Sequence, residues 1–395
     1  MKILMLTPYL PYPLLSGGQI RTYNLLKKLS HKHEITLFAL IKNQAEKQYI
    51  PELEKYCQKV RVFKRSSKPF TLKNILFTAV SKFPFLVIRN YVPEVVTAIQ
   101  QELDDNKYNL IHAETFYMMP HLPQITIPTI LVEQTIEYLG YESYAKKAHP
   151  LLKPFLYYDI AKIKRTEIHY WHQADRLITM SEDDKQFINE IIDQPQKTQV
   201  VSNGVDSDWF EQMPRKLPEN PTFLSVGTFK WLPNIEAARF LIKKVWPRIK
   251  KQIPQARLWI VGNAPTDEII KYGEEDVQIE VSGRIEDIRT AFKQSHLLVA
   301  PVFSGKGTRY KILEAMASGT PIVATSTAVE GLNVQNNKHV LVADQADKMA
   351  DYAVEIINDS DLWHKLSANG KNFVKQNYDW QLISQKLDKI YESMG

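Results

Sequence analysis

The chain has almost no cysteine. Cys57 is the single one among 395 residues, which excludes an internal disulfide and suits a reducing compartment. No run of about 18 apolar residues occurs, the length a spanning helix needs. The apolar opening MKILMLTPYLPYP is too short, and too soon broken by proline, to read as a signal peptide. A cytoplasmic protein is expected, with contact to the inner face of a membrane left open. Several chemical signatures are also missing. No Gly-x-Gly-x-x-Gly is present, which argues against the common dinucleotide fingerprint, and Gly305-Lys306 is followed by glycine rather than the Ser or Thr of a nucleotide-triphosphate loop. There is no hydrolase nucleophile elbow. His169 and His172 stand one helical turn apart, but no third ligand is near and no His-Glu-x-x-His occurs, so no metal is expected.

What remains is an ordinary globular composition, 44% hydrophobic and 24% charged, long enough for two or three domains. A net charge of +6 suits anionic substrates or an anionic membrane surface and falls far short of a nucleic-acid-binding composition. Short apolar runs such as KILML, ITLFALI and HLLVAP alternate with helical stretches. That alternation predicts α/β architecture with parallel, doubly wound sheets.

The most informative stretch is 301–325, PVFSGKGTRYKILEAMASGTPIVAT. It reads as strand end, glycine loop, helix, glycine stop and strand. Gly305 and Gly307 suit a loop whose backbone amides close on a ligand. Thr308 is a plausible N-cap for a helix over Tyr310 to Ser318, with Gly319 as the stop and Pro321 preventing its resumption. Lys306, Arg309 and Lys311 crowd the helix start, where each cation costs about 0.3–1 kcal/mol. Cations gathered there suggest a seat for a phosphate or diphosphate. Glu314 lies one turn deeper and suits two ribose hydroxyls instead. A solvated helix start with an ordinary Lys–Glu pair is the plainer alternative.

This stretch resembles the donor-site signature of family 4 retaining glycosyltransferases of the GT-B type, whose pattern EAMA-x-G-x-PVVA is close to LEAMASGTPIVAT. The resemblance implies two Rossmann-like domains facing across a cleft, and a ribose contact for Glu314. The family often carries a second glutamate where this chain has Lys306. A subgroup written G-x-G-T-R-x-K-x-L-E-A-M-A shares that departure, and in it the residues matching Arg309 and Lys311 are expected near the diphosphate. How the sugar ring is held is therefore open.

Elsewhere the resemblance extends over nearly the whole chain. Gly17 and Gly18, ahead of a helix expected from Gln19 to Ser30, match a loop facing the donor phosphates or the acceptor. YNLIHAE at 108–114 is a strand whose polar end points to the expected ligand side; Glu114 replaces a family histidine and is a candidate for contact with sugar or acceptor, while His112 reads as strand-end packing. Glu133 to Glu137 end another strand on that side. TQVVSNGVDSDWF resembles V-x-P-N-G-V-D-x-x-x-F and closes the first domain, 1–205. A linker over 206–221 leads to a donor domain, 222–378, and a final helix over 379–395 crosses back. In the donor domain SVGTFKWLPN resembles V-G-x-x-x-x-x-P-N: Gly227 ends a strand, Lys230 is a candidate for the diphosphate, and Pro233-Asn234 begins a helix. Gly283-Arg284-Ile285 matches a loop that contacts the base.

Residues 68–92 interleave Lys and Arg with Phe, Leu and Ile. They fit either a membrane patch or lipid-acceptor groove, or a helical hairpin packed by its apolar face on the sheet, which is the preferred expectation.

The resemblance implies transfer of a sugar from a UDP- or GDP-type nucleotide sugar to a saccharide or lipid-linked acceptor, with no other cofactor. Arg309 and Lys311 are the cations expected to stabilise the leaving diphosphate. Two alternatives stay open: an epimerase or hydrolase of the same architecture, and a non-catalytic nucleotide-sugar-binding subunit.

Overall fold

The computed structural model describes residues 1–66, 68, 70–305 and 310–395. Seven strands form the first sheet: β1 (Lys2–Thr7), β2 (Glu34–Ile41), β3 (Lys59–Lys64), β4 (Leu110–Glu114), β5 (Thr129–Glu133), β6 (Arg176–Thr179) and β7 (Thr198–Val200). All neighbours are parallel, in the order β3-β2-β1-β4-β5-β6-β7. Six strands form the second: β8 (Thr222–Val226), β9 (Arg257–Val261), β10 (Ile279–Ser282), β11 (Leu297–Ala300), β12 (Ile322–Ala324) and β13 (Leu341–Val342), again all parallel, in the order β10-β9-β8-β11-β12-β13.

A parallel sheet is covered on both faces, so its strands are apolar throughout rather than alternating. Ile3, Leu4, Met5 and Leu6 in β1, and Leu297, Leu298 and Val299 in β11, are fully buried. The doubly wound α/β expectation is met twice. In each sheet the strand order reverses at one place, between β1 and β4 and between β8 and β11. Ligands of open α/β sheets bind beyond the carboxyl ends of strands at such a reversal.

The chain divides into two compact units, residues 1–202 with 383–395, and residues 203–382. Within the stretch read as a linker, Ser207–Gln212 forms a short helix capped by Asp206, whose side chain accepts from Trp209 N–H. Arg215 fastens the same stretch to the second unit by donating to the Ser295 and Ser318 carbonyls and to Thr320 Oγ1, at 2.8–3.0 Å. The helix Trp380–Glu392 belongs to the first unit from Ile383 onward. There Asp388 meets His33 at 2.8 Å and Lys32 at 2.5 Å. Among the described residues no helix is long and apolar enough to cross a membrane.

Two expectations for the first unit are corrected. Glu133 does not face a ligand-binding side; it is 1% exposed and accepts from Trp171 Nε1 at 3.0 Å. Nearby, Glu167 accepts the backbone N–H groups of Glu137 and Tyr138, capping the helix Glu137–Lys147 from outside it. Burial pushes Glu137 up to about 7 and Glu167 up to about 8, and burial with the Glu167 charge raises Glu133 well above the carboxylate range. The second correction concerns the packed hairpin: the helix Leu72–Val80 has no buried residue, although Phe85–Asn90 buries Leu86, Val87 and Asn90.

The raised carboxyls carry a pH dependence of known sign. A carboxyl with a folded pKa above its unfolded value binds its proton more tightly in the folded state. Its stabilisation is complete below the unfolded pKa of about 4.3 and is lost as pH climbs through the folded value. Melting temperature should therefore fall between about pH 5 and 8. Glu133→Gln should raise it at pH 8 by about 2–4 °C, the scale of 1 kcal/mol for a unit of this size. An unchanged or lower melting temperature in that variant at pH 8 would count against a charged Glu133 as a cost.

Candidate functional site

The second unit carries the donor candidates. Gly227 and Lys230 follow β8, and Gly305, Lys311 and Glu314 follow β11, so all five flank the β8/β11 reversal. Gly305 takes φ 95°, a conformation favouring glycine. The helix is described over Tyr310–Ala317. It stops as expected: Gly319, at φ 68°, donates to the Met316 carbonyl at 2.9 Å, and Thr320 donates to the Ala315 carbonyl at 2.8 Å. Those two bonds satisfy the last carbonyls of the helix in a Schellman arrangement. Lys306, Gly307, Thr308 and Arg309 lie outside the described residues.

Lys311 stands in the first helical turn. Its Nζ donates to Asn234 Oδ1 at 3.0 Å, and Asn234 Nδ2 donates to the Thr228 carbonyl at 2.9 Å. Asn234 thus ties the lysine to the loop after β8. A Cβ on Gly227 would lie 2.9 Å from Asn234 Cγ, so the glycine leaves room for that amide. Behind the loop, Gly262 has φ 155°, and a Cβ there would meet the Gly227 carbonyl oxygen at 1.6 Å. Glu314 keeps a partly exposed face. Burial of its carboxyl raises the pKa to about 7, with the Lys311 charge opposing. Lys230 and Arg284 are exposed, and Ile285 packs partly on the core of the second unit.

The first unit carries the remaining candidates, Gly17 and Gly18 after β1 and Glu114 at the end of β4, flanking its own reversal. The helix begins at Gly17, two residues earlier than expected, because Ser16 acts as N-cap and accepts from Gln19 N–H. A Cβ on Gly18 would come within 2.6 Å of Tyr9 Oη and 2.7 Å of Gln134 Oε1. Close packing therefore explains this glycine without any ligand.

Glu114 has no exposed surface. His112 Nε2 meets its Oε1 at 3.2 Å, and Gln134 Nε2 donates to its Oε2 at 2.6 Å. Gln134 also reaches Tyr9 Oη at 2.7 Å, and the Tyr391 hydroxyl lies 2.7 Å from His112 Nδ1. The His112 ring thus bridges the Glu114 carboxylate and the Tyr391 hydroxyl. Burial alone would raise Glu114, but the His112 bond and charge, the Arg21 charge and Gln134 together hold it below the ordinary value. Both oxygens of Glu114 are thus occupied within the protein, and His112 is the strand-end packing residue it was read to be.

Sequence reasoning missed Asn234 as the partner of Lys311 and Gln134 as the partly exposed tip of the Glu114 chain. The Pro-Asn pair was noted only as a helix start. Among the described residues no three His, Cys, Asp or Glu side chains group as a metal site.

Residues 15–209 match Glycosyltransferase Family 4, and residues 220–359 match Glycosyl transferases group 1. The chain belongs to this family of glycosyltransferases. It is 22% identical to an uncharacterised 44.6 kDa protein in the cps region of Klebsiella pneumoniae, over 98% of this chain and 99% of that one. It is 23% identical to the phosphatidyl-myo-inositol mannosyltransferase of Mycobacterium tuberculosis, a match spanning 49% of this chain and 54% of that enzyme. Sucrose-phosphate synthase from Thermosynechococcus elongatus superposes with a TM-score of 0.74 at 17% identity, covering 100% of this chain and 99% of that one. HepE of Anabaena in complex with UDP superposes with a TM-score of 0.68 at 17% identity, covering 100% of both chains. The fold is the GT-B fold of these enzymes.

Proposed function

We propose that this glycosyltransferase is a retaining enzyme that moves a hexose from a UDP- or GDP-sugar to a saccharide acceptor, free or lipid-linked, in cytoplasmic synthesis of a cell-surface polysaccharide or glycoconjugate. One observation carries the reading. Lys311 is held at a helix start beside the β8/β11 reversal by Asn234, with Glu314 one turn inside. The UDP held by HepE, the cps region of the Klebsiella relative and the phosphatidyl-myo-inositol in the mannosyltransferase's name all support it.

Breaking the anomeric C–O bond leaves negative charge on the departing diphosphate. Preorganised cations act best on charge that develops in the transition state. Lys311 and Arg309 take that role, with Lys230, Gly305, Gly307 and Thr308 assisting. The acceptor oxygen bonds to the anomeric carbon on the face that the phosphate leaves, and its proton passes to the leaving phosphate. Glu314 accepts the ribose hydroxyls, and Arg284 and Ile285 flank the base. Glu114 acts by setting Gln134 rather than by touching the sugar.

Thermal shift with UDP-, GDP- and ADP-sugars tests the donor, since a ligand of the folded state raises apparent stability. Incubating the stabilising donor with candidate acceptors, and reading the anomeric proton coupling of the product, then tests transfer and retention. A protein stabilised by none of these nucleotides, or one that consumes its donor fully with no acceptor present, overturns the proposal. With the donor known, Asn234→Ala should lower kcat about 10–100-fold by freeing the lysine from its position, with little change in nucleotide affinity. A kcat equal to wild type would remove Asn234 from the site.

A further inference from the structure

The helix Leu72–Val80 presents Leu72, Leu76, Phe77 and Val80 at 54–83% exposure, and none of its residues is buried. A soluble surface rarely keeps such a helix uncovered without a use. The start of the helix Lys153–Gln173 extends the patch with Phe155 at 76% exposed, and Leu151 just ahead of it is equally exposed. The two segments are tied together. Tyr158 Oη donates to the Ala79 carbonyl at 3.4 Å, Lys162 Nζ donates to the Thr78 and Ser81 carbonyls, and Asp159 accepts Phe85 N–H at 2.9 Å.

Along the segment that carries this helix, formal charge has one sign. Between Arg65 and Val92 the chain holds Arg65, Lys68, Lys73, Lys82 and Arg89 and no acidic residue. Arg65 and Arg89 share a corner at its base, where Arg65 Nη1 donates to Asn90 Oδ1. The Nε atoms of both arginines are buried without a hydrogen-bond partner among the described residues. Apolar side chains interleaved with cations, and no anion among them, suit a boundary between hydrocarbon and anionic headgroups. A second copy of this chain would meet the same cations and be repelled.

We infer that the face formed by Leu72–Val80 and residues 151–158 seats on an anionic lipid bilayer, the apolar side chains entering the acyl boundary and the Lys and Arg groups meeting headgroup phosphates. This goes beyond the transfer reaction and stands or falls independently of it, because the test reads partition only. The protein is sedimented with phosphatidylcholine vesicles with and without phosphatidylglycerol. The bound fraction should rise several-fold with phosphatidylglycerol and fall as salt is added. Leu76→Glu with Phe77→Glu should abolish binding while leaving the melting temperature little changed, since each residue is more than half exposed. Lys73→Glu with Lys82→Glu should remove only the gain due to phosphatidylglycerol. Three results would overturn the inference: wild-type protein left in the supernatant of both vesicles, undiminished binding by the Leu76/Phe77 variant, or a dimer in sedimentation equilibrium that this variant dissociates without any vesicle binding.

Discussion

Lys311→Ala should lower kcat by about 10²–10³, the loss seen when one preorganised charge-stabilising donor is removed, while the dissociation constant for the free nucleotide changes far less. The distinction follows from where the charge appears. A ground-state sugar nucleotide already bears its diphosphate charge, spread over the bridge to the sugar. Only as the anomeric bond breaks does an extra unit of charge build on the leaving oxygen, and only then is a fixed ammonium worth most. The lysine is fixed because Asn234 accepts from it at 3.0 Å while donating to the Thr228 carbonyl. Lys311→Ala and Asn234→Ala should accordingly be non-additive, the double variant costing little more than Lys311→Ala alone. Turnover near wild type in Lys311→Ala, or additive losses in the double variant, would remove the lysine from the reaction.

Glu314→Gln should make the protein more stable and a poorer nucleotide binder at once. Burial raises the Glu314 pKa to about 7. The sign is that of the first unit's carboxyls: the proton is held more tightly in the folded chain, so stability is complete below the unfolded pKa of about 4.3 and is lost as pH rises through about 7. Above that pH the ionised carboxylate costs the folded state on the order of 3–4 kcal/mol. Glutamine carries no such cost, so at pH 8 its variant should melt several degrees higher. The amide offers one acceptor oxygen in place of a carboxylate's two, so nucleotide affinity should fall about tenfold or more, one charged hydrogen bond being worth roughly 1.5–3 kcal/mol. Wild-type nucleotide affinity should itself weaken as pH drops below about 7. A Glu314→Gln protein that binds nucleotide as well as wild type at pH 8 would end the ribose assignment. Both directions would follow from one cause: a carboxylate held in a dehydrating place for the ribose contact proposed for it.

The architecture was legible because parallel strands are buried on both faces and show as unbroken apolar runs. KILML and ITLFALI became β1 and β2, HLLVAP contains β11 and PIVAT contains β12. The end of the donor helix was legible as well, since glycine at φ 68° followed by proline two residues on is a local signal. The N-terminal helix starts two residues before the expected Gln19 because the Ser16 cap offsets the poor helix propensity of Gly17 and Gly18. For the helix Leu72–Val80, apolar content implied burial; local sequence cannot say whether a protein surface waits beneath an apolar face. Glu114 was read as a cleft residue because strand-end polarity is all that the sequence displays. Its enclosure depends on Tyr391, 279 residues away from His112, and on Gln134 from the end of a neighbouring strand. Asn234 escaped notice because its partner stands 77 residues further on.

The helix that completes the first unit also imposes an order of events on the ribosome. Residues 1–202 emerge before residues 203–382, yet their unit includes Ile383–Gly395. At roughly 5–20 residues per second, the early sheet waits about 10–40 s for that segment. Until then Asp388 and Tyr391 are not there to meet His33 and His112, and a nascent chain stalled inside the second unit presents an open seam to chaperones and proteases.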